Sequence, residues 1–225
     1  MTRFVLVPGA GGAAWYWHRV VPLLRAHGHE AVAVELPGAD EHAGLPEYTA
    51  EVVKAINCDR DVVVVAQSMG GFTAAMACSQ TSVDLLVLVN AMIPIPGETP
   101  GQWWDNTGWQ QAVLVAAKEG GYSAEFDLAT YFLHDVPAEV AAEGAAHERP
   151  EADVAFGQSC DIDGWPSVPT RVVAATDDRC FPVAFQRRLA KERLGLDTDE
   201  VPGGHLVALS RPVDLVNRLI ECLGG

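Results

Sequence analysis

The sequence predicts an α/β protein with a doubly wound, mainly parallel six-stranded sheet and a helical cap insertion, and three observations predict it. Short apolar runs recur along the chain, amphipathic segments alternate with them, and the rhythm fails once, between about residues 92 and 169. Runs that are apolar at every position suit strands buried on both faces, as in parallel sheets. Alternation with helices implies right-handed crossovers that cover both faces of one sheet.

The first strand is expected at Phe4-Val5-Leu6-Val7, followed by the glycine-rich Pro8-Gly9-Ala10-Gly11-Gly12. Amphipathic stretches from Trp17 to His27 and from Tyr48 to Asn57 flank a second strand beginning at Ala31. The third strand, Val62-Val63-Val64-Val65-Ala66, leads into a helix from Gly70 to Ser79, and a fourth strand begins at Leu85. Proline and glycine then punctuate helical segments around Trp103 to Lys118, Ala124 to Leu133 and Ala138 to His147, the pattern of an insertion. The sheet resumes at Arg171-Val172-Val173-Ala174-Ala175, with a helix from Phe185 to Leu194 and a sixth strand through Asp199-Glu200-Val201. A closing helix from Pro212 to Leu223 has proline near its start and Gly224 at its end. No internal repeat interrupts this order, which reads as a single domain over 1–225 with the cap at about 92–169.

A chain of 225 residues fits one domain. It can bury roughly 70–75% of its unfolded surface, enough for a pocket without metal or disulfide support. The formal charge of −15, from 15 basic and 30 acidic residues, repels phosphate backbones and anionic lipid heads, so neither nucleic acid nor a membrane is expected as partner. A small-molecule substrate is the expected partner; composition leaves oligomeric state open. Five cysteines (Cys58, Cys78, Cys160, Cys180, Cys222) are odd in number, scattered and without metal-ligand spacing, as free thiols would be. After Met1-Thr2-Arg3 the chain enters its first apolar run at once, and no apolar stretch approaches membrane-spanning length. A cytoplasmic protein without cofactor or metal is the expectation.

Ala66-Gln67-Ser68-Met69-Gly70-Gly71 follows the third strand and opens a helix, the strand–turn–helix context of a nucleophile elbow. A serine there is lifted on a tight turn above the sheet edge, and small residues two positions either side let strand and helix approach. Ala66 stands where the usual pattern has glycine, a departure of one methyl group.

Serine needs a base to take its proton at neutral pH. Of seven histidines, His205 lies in the glycine-rich Val201-Pro202-Gly203-Gly204-His205, just past the last strand, where the carboxyl ends of parallel strands converge. A carboxylate should orient it from the end of an intervening strand, and Thr176-Asp177-Asp178-Arg179 follows the fifth strand in the chain order Ser, Asp, His. Asp178, 27 residues before His205, is favoured, with Asp177 as its competitor. An oxyanion needs two fixed N–H donors. The residue after the nucleophile, Met69, supplies one, and the loop after the first strand supplies the other, assigned to Ala10.

A serine flanked by glycines is ordinarily a turn; four matched elements in order make it a nucleophile candidate. His27-Gly28-His29 sits at a predicted helix end, where glycine caps and histidine favours the dipole, so it reads as structure and not as a metal pair. His134-Asp135 imitates a dyad without a nucleophile and reads as a surface or cap contact, while His18, His42 and His147 carry no context. The insertion's Trp103, Trp104, Trp109, Phe126, Tyr131, Phe132 and Phe156 are expected mostly as its own core, with some roofing a pocket. Trp103, Trp104 and Gly9 are the substrate-contact candidates.

The chain resembles the small α/β hydrolases that include plant methylesterases and hydroxynitrile lyases. The resemblance rests on Val5-Leu6-Val7-Pro8-Gly9-Ala10-Gly11 with Trp15-Tyr16-Trp17, Glu35-Leu36-Pro37-Gly38 and Gln67-Ser68-Met69-Gly70-Gly71. It continues through Asp178 with Phe185-Gln186, and Gly203-Gly204-His205 with Leu209-Ser210-Arg211-Pro212. It covers nearly the whole chain and implies the α/β-hydrolase fold, with the family's acid falling on Asp178. Pro8 replaces a usual histidine. Gly9 and Leu206 stand where the lyases of this group use threonine and lysine, which disfavours cyanohydrin cleavage.

The expected activity is hydrolysis of a carboxylic ester, or related acyl bond, of a small, largely apolar substrate through an acyl-enzyme on Ser68. Two rivals share the fold: a protein that binds a small molecule without turning it over, and a lyase or cyclase that uses His205 as base on a secondary-metabolite intermediate.

Overall fold

The computed structural model describes residues 1–56 and 61–224. Asn57, where the second amphipathic stretch was expected to end, and Cys58, one of the five thiols, lie outside the described residues. Six strands, β1 (Arg3–Val7), β2 (Glu30–Ala33), β3 (Val62–Ser68), β4 (Leu85–Ala91), β5 (Thr170–Ala175) and β6 (Thr198–Val201), form one sheet in the order β2-β1-β3-β4-β5-β6. Every pairing is parallel. The sheet is thus an all-parallel version of the expected one, on an α/β-hydrolase fold.

Side chains alternate between the two faces, and both faces are dry. Val5, Val7, Val64 and Ala66 join one apolar cluster, while Phe4, Leu6, Val63 and Val65 join the other. This two-sided burial is why the strands read as continuous apolar runs. α1 (Val20–Ala26) and α11 (Pro212–Glu221) feed one cluster; α2 (Leu45–Ile56), α3 (Gly70–Gln80) and α9 (Val183–Leu194) feed the other. α11 buries Leu215, Val216 and Leu219, one stripe at helical spacing. α9 ends at Gly195, which takes a left-handed φ of +71°, with Lys191 and Arg193 in its last turn facing the negative dipole end.

The order reverses between β1 and β3: the chain leaves β1 for β2 on one side and returns to β3 on the other. Crevices outside the carboxyl ends of strands open at such a switch point. The loop after β1 and the turn after β3 meet there, since Val7 is paired with Ala66.

Between β4 and β5 lie five helices among the described residues: α4 (Pro100–Asn106), α5 (Trp109–Gly120), α6 (Leu128–Tyr131), α7 (Ala138–Gly144) and α8 (Asp153–Gly157). Thr99 and Gln102 form a capping box that starts α4. The expected single segment from Trp103 to Lys118 is broken at Gly108, whose φ of +65° turns the chain between α4 and α5. The segment Ala124 to Leu133 is helical over only four residues, where Asp127 accepts the Thr130 N–H. α8, a single turn, has no counterpart in the sequence reading. Short α10 (Val207–Ser210) follows the His205 loop.

The 92–169 segment is tied to α9 by a buried ion pair. The Arg193 guanidinium meets the carboxylate of Glu98 and also donates to the Ile93 carbonyl at 2.6 Å. No helix among the described residues is long and apolar enough to cross a membrane.

Candidate active site

Ser68 ends β3 with a φ of +51°, a left-handed conformation that a non-glycine residue holds only under constraint. The β3/β4 register shifts between Gln67 and Ser68, and the helix of the elbow begins at Gly70. A Cβ on Gly70 would lie 2.4 Å from the Pro8 carbonyl oxygen, and one on Gly71 2.0 Å from that of Met92. Two backbones therefore close on the turn, and glycine is the residue that permits it. Gly9 approaches as closely: its Cβ would stand 2.8 Å from that of Ser68. Ala66 sits fully buried in the sheet, so the methyl group that departs from the usual pattern is accommodated by packing.

His205 is fully buried, with Nε2 3.2 Å from Ser68 Oγ and Nδ1 2.9 Å from Asp178 Oδ2. With Nδ1 protonated toward the carboxylate, Nε2 faces the hydroxyl as an acceptor. The Asp178 carboxylate is held in turn by the Phe181 N–H at 2.8 Å and by Gln186 Nε2 at 3.3 Å. Asp177 is exposed and accepts the Gly203 N–H at 3.2 Å, so of the two aspartates only Asp178 reaches the imidazole. The rings of Phe132 and Phe181 stand edge-on to His205 at 4.8 and 4.9 Å, which keeps the relay dry.

Further polar side chains touch the loops around Ser68 and His205; of these, Asn90 and Glu151 have no counterpart in the sequence expectations, while Asp135 was expected as a surface or cap contact. Asn90, fully buried on β4 with a φ of +45°, donates to the carbonyls of Gly204 and His205 and accepts the Ala175 N–H at 2.7 Å. Gln67 Nε2 lies 3.1 Å from His205 Nε2. Asp135 accepts the Gly204 N–H at 2.7 Å, and Glu151 accepts the Gly11 N–H at 2.6 Å. A polar side chain inside an apolar run, as at Asn90 in Leu88-Val89-Asn90-Ala91, was the signal available for the first.

A cavity of about 400 Å³ opens above Ser68. Gly9, Ala10 and Met69 line its floor beside Ser68, and Trp104, Phe132 and Phe156 from the 92–169 segment line its walls. Trp103 is a correction. It is fully buried against Trp104, Phe181 and Phe185, with its indole N–H on the Ile93 carbonyl at 3.1 Å, and does not reach the cavity. One indole anchors the segment while its neighbour faces the void.

His18 and His147 sandwich the indole of Trp15 at 4.3 and 4.9 Å, while His27 and Gly28, with its φ of +82°, end α1. Among the described residues, no cluster of His, Cys, Asp or Glu could hold a metal ion. Cys180 lines the cavity, but burial pushes its thiol well above the ordinary value, which leaves it unreactive beside Ser68.

A model of the Alpha/beta hydrolase family matches residues 4–219. Norfluorocurarine synthase 1 from a Strychnos species is 26% identical, with 98% of this chain and 93% of that protein covered. Methylesterase 3 from Arabidopsis thaliana is also 26% identical, over 96% of this chain and 94% of its own. The crystal structure of polyneuridine aldehyde esterase superposes with a TM-score of 0.80 at 22% identity, covering 99% of both chains.

Proposed function

The chain belongs to the Alpha/beta hydrolase family, and from that premise we propose that it cleaves a carboxylic ester, or a related acyl bond, of a small and largely apolar substrate through an acyl-enzyme. The observation that carries the reading is the buried relay from Ser68 through His205 to Asp178 beneath an apolar cavity. Esterase names among the relatives support it.

Ser68 attacks the carbonyl as His205 takes the hydroxyl proton, and Asp178 holds the imidazole and stabilises its charged form. The backbone N–H groups of Met69 and Ala10 receive the oxyanion, assisted by the positive end of α3. His205 then returns the proton to the leaving alcohol, and water activated by the same imidazole releases the acid. The apolar walls exclude bulk water and strengthen each electrostatic step. A cytoplasmic location belongs to this reading: the four described cysteines are unpaired thiols, as in a reducing compartment, and recovery of the native protein outside the cell would argue against it.

A synthase name on a relative as similar as the methylesterase favours one second reading, in which His205 acts as base and no acyl-enzyme forms. Incubation with a fluorophosphonate and with activated esters, followed by intact-mass analysis and peptide mapping, separates the two. An adduct on Ser68, with ester turnover abolished in Ser68→Ala, supports the hydrolase. Full ester turnover in that variant refutes it.

A further inference from the structure

The residues beside the base and beside the assigned oxyanion donor share one unexplained feature. Each presents a backbone N–H to a carboxylate from the 92–169 segment. Gly204, next to His205, donates to Asp135 Oδ2 at 2.7 Å; Gly11, next to Ala10, donates to Glu151 Oε2 at 2.6 Å. We propose that Asp135 and Glu151 are positioning residues, two carboxylate latches through which the segment over the cavity sets the base loop and the oxyanion loop in their working geometry. The inference rests on the acyl-enzyme reading and extends it to the segment that covers the site.

Both contacts are built. The second oxygen of Glu151 accepts the Tyr48 hydroxyl at 2.6 Å, so α2 fixes the carboxylate from behind. Beside it, the Arg149 carbonyl would stand 2.7 Å from a Cβ on Gly11, and Ala152 donates to the Gly38 carbonyl at 2.7 Å. Arg149 also pairs with Glu35. On the other loop, a Cβ on Gly204 would meet Asp135 Oδ1 at 2.6 Å and His134 Cε1 at 2.7 Å. Glycine at both positions lets the segment's side chains and backbone lie directly on the catalytic loops.

An N–H donated to a carboxylate makes a charge-assisted bond about twice as strong as a neutral one. Because the peptide unit is planar, fixing the Gly11 N–H fixes the Ala10–Gly11 plane, which adjoins at the Ala10 Cα the Gly9–Ala10 plane that bears the assigned donor, and fixing the Gly204 N–H fixes the Gly203–Gly204 plane one peptide before His205. A misplacement of about 1 Å at a catalytic group costs on the order of 10²-fold in rate. Loosening either loop should therefore slow the chemical step more than it weakens binding.

The test uses the full chain with Glu151→Met, Asp135→Ala, and the acceptor-retaining Glu151→Gln and Asp135→Asn. Folding is checked by circular dichroism, and kcat, KM and the first-order rate of fluorophosphonate labelling are measured. The expected result is a fall on the order of tenfold or more in kcat and labelling rate for Glu151→Met and Asp135→Ala, with KM nearly unchanged and most of the loss restored by Gln or Asn. Wild-type kcat in folded Glu151→Met and Asp135→Ala would overturn the proposal. Should those variants fail to fold, hydrogen exchange at the Gly11 and Gly204 amides of the wild-type protein decides: protection supports the latches, and exchange as fast as in open loops overturns them. That arm is independent of ester chemistry, so an unlabelled Ser68 in the wild-type protein would strike the acyl-enzyme reading and not the contacts themselves.

Discussion

Asn90 Nδ2 donates to the main-chain carbonyl of His205 at 3.2 Å, so a buried amide on β4 holds the loop that carries this histidine. Its Oδ1 accepts the Ala175 N–H, on the strand that ends just before Asp178. One side chain thus spaces the loops of Asp178 and His205. Asn90→Ala leaves a buried N–H and two carbonyls without this partner. The His205 carbonyl keeps Gln67 Nε2 at 3.4 Å, so with each of the two wholly unmet groups worth about 1–3 kcal/mol the variant should lose about 2–6 kcal/mol in urea unfolding, with kcat falling further than KM rises. Wild-type stability would show that the amide is dispensable.

Strand positions were legible because both faces of the sheet are apolar, and a run such as Val62-Val63-Val64-Val65 has no other place to go. The loops carrying Ser68, Asp178 and His205 were legible for a related reason, since glycines and chain order mark where strand ends meet. Asn90 was hidden by the same strand pattern that made β4 visible, because a run of Leu and Val drew attention to burial and away from the amide within it. Glu151 carries no local signal, and Asp135 is marked only by its place beside His134, read as a surface or cap contact; their partners, Gly11 and Gly204, lie 140 and 69 residues distant. The 92–169 segment was readable as helical but not in detail. Gly108 stops one helix where periodicity continues, and the roles of Trp103 and Trp104 depend on which side of α4 meets Phe185.

The two aspartates after β5 should separate sharply in kinetics. Asp178→Asn keeps the shape of the relay but disturbs the tautomer of His205, and kcat on an activated ester should fall by a factor on the order of 10⁴. Asp177→Asn retains an oxygen for the Gly203 N–H and should stay within about threefold of wild type, as expected for an exposed neutral substitution. Equal losses in the two would break the assignment.

Glycine at position 70 and alanine at position 66 predict opposite tolerance at the elbow. In Gly70→Ala the new methyl group falls 2.4 Å from the Pro8 oxygen, so the turn or the first loop must shift, costing about 1–3 kcal/mol and most of the activity. Ala66→Gly removes a buried methyl from a strand that already fits it. Stability should drop by about 1 kcal/mol while kcat stays within about twofold. Activity assays beside urea titrations check both, and an active Gly70→Ala would mean the close approach is not required.

Glu151 gives a pH signature with a defined sign. Burial raises its pKa above the ordinary glutamate value, against the opposing hydrogen bonds from Tyr48 and Gly11. Only between the unfolded and the folded value does the folded chain therefore hold a proton that the unfolded chain releases; above both, Glu151 is the ionised carboxylate in either state. Stability from this group is present below the unfolded value of about 4.3 and is lost as pH rises toward the folded one. Measured against Glu151→Gln, which cannot titrate, the wild-type urea midpoint should decline relative to the variant from about pH 4 upward. A constant or rising difference would contradict the shift.

Glu98 and Arg193 allow the attachment of the 92–169 segment to be tested apart from chemistry. The carboxylate is nearly inaccessible and receives Asn106 Nδ2 at 2.8 Å and the Ile95 N–H at 3.3 Å besides the guanidinium. Desolvating the pair is costly, so its net worth is small, but removing one partner strands the other charge in a dry site. Glu98→Ala should therefore destabilise by about 3–5 kcal/mol. Glu98→Met combined with Arg193→Met should recover much of that loss by exchanging two buried charges for apolar volume. Because neither residue touches the relay, kcat per folded molecule should survive in both variants, measured well below the unfolding midpoint. Were the double variant as unstable as the single one, the stranded guanidinium would not be the cause, and the loss would lie in the hydrogen bonds that Glu98 makes to its own segment.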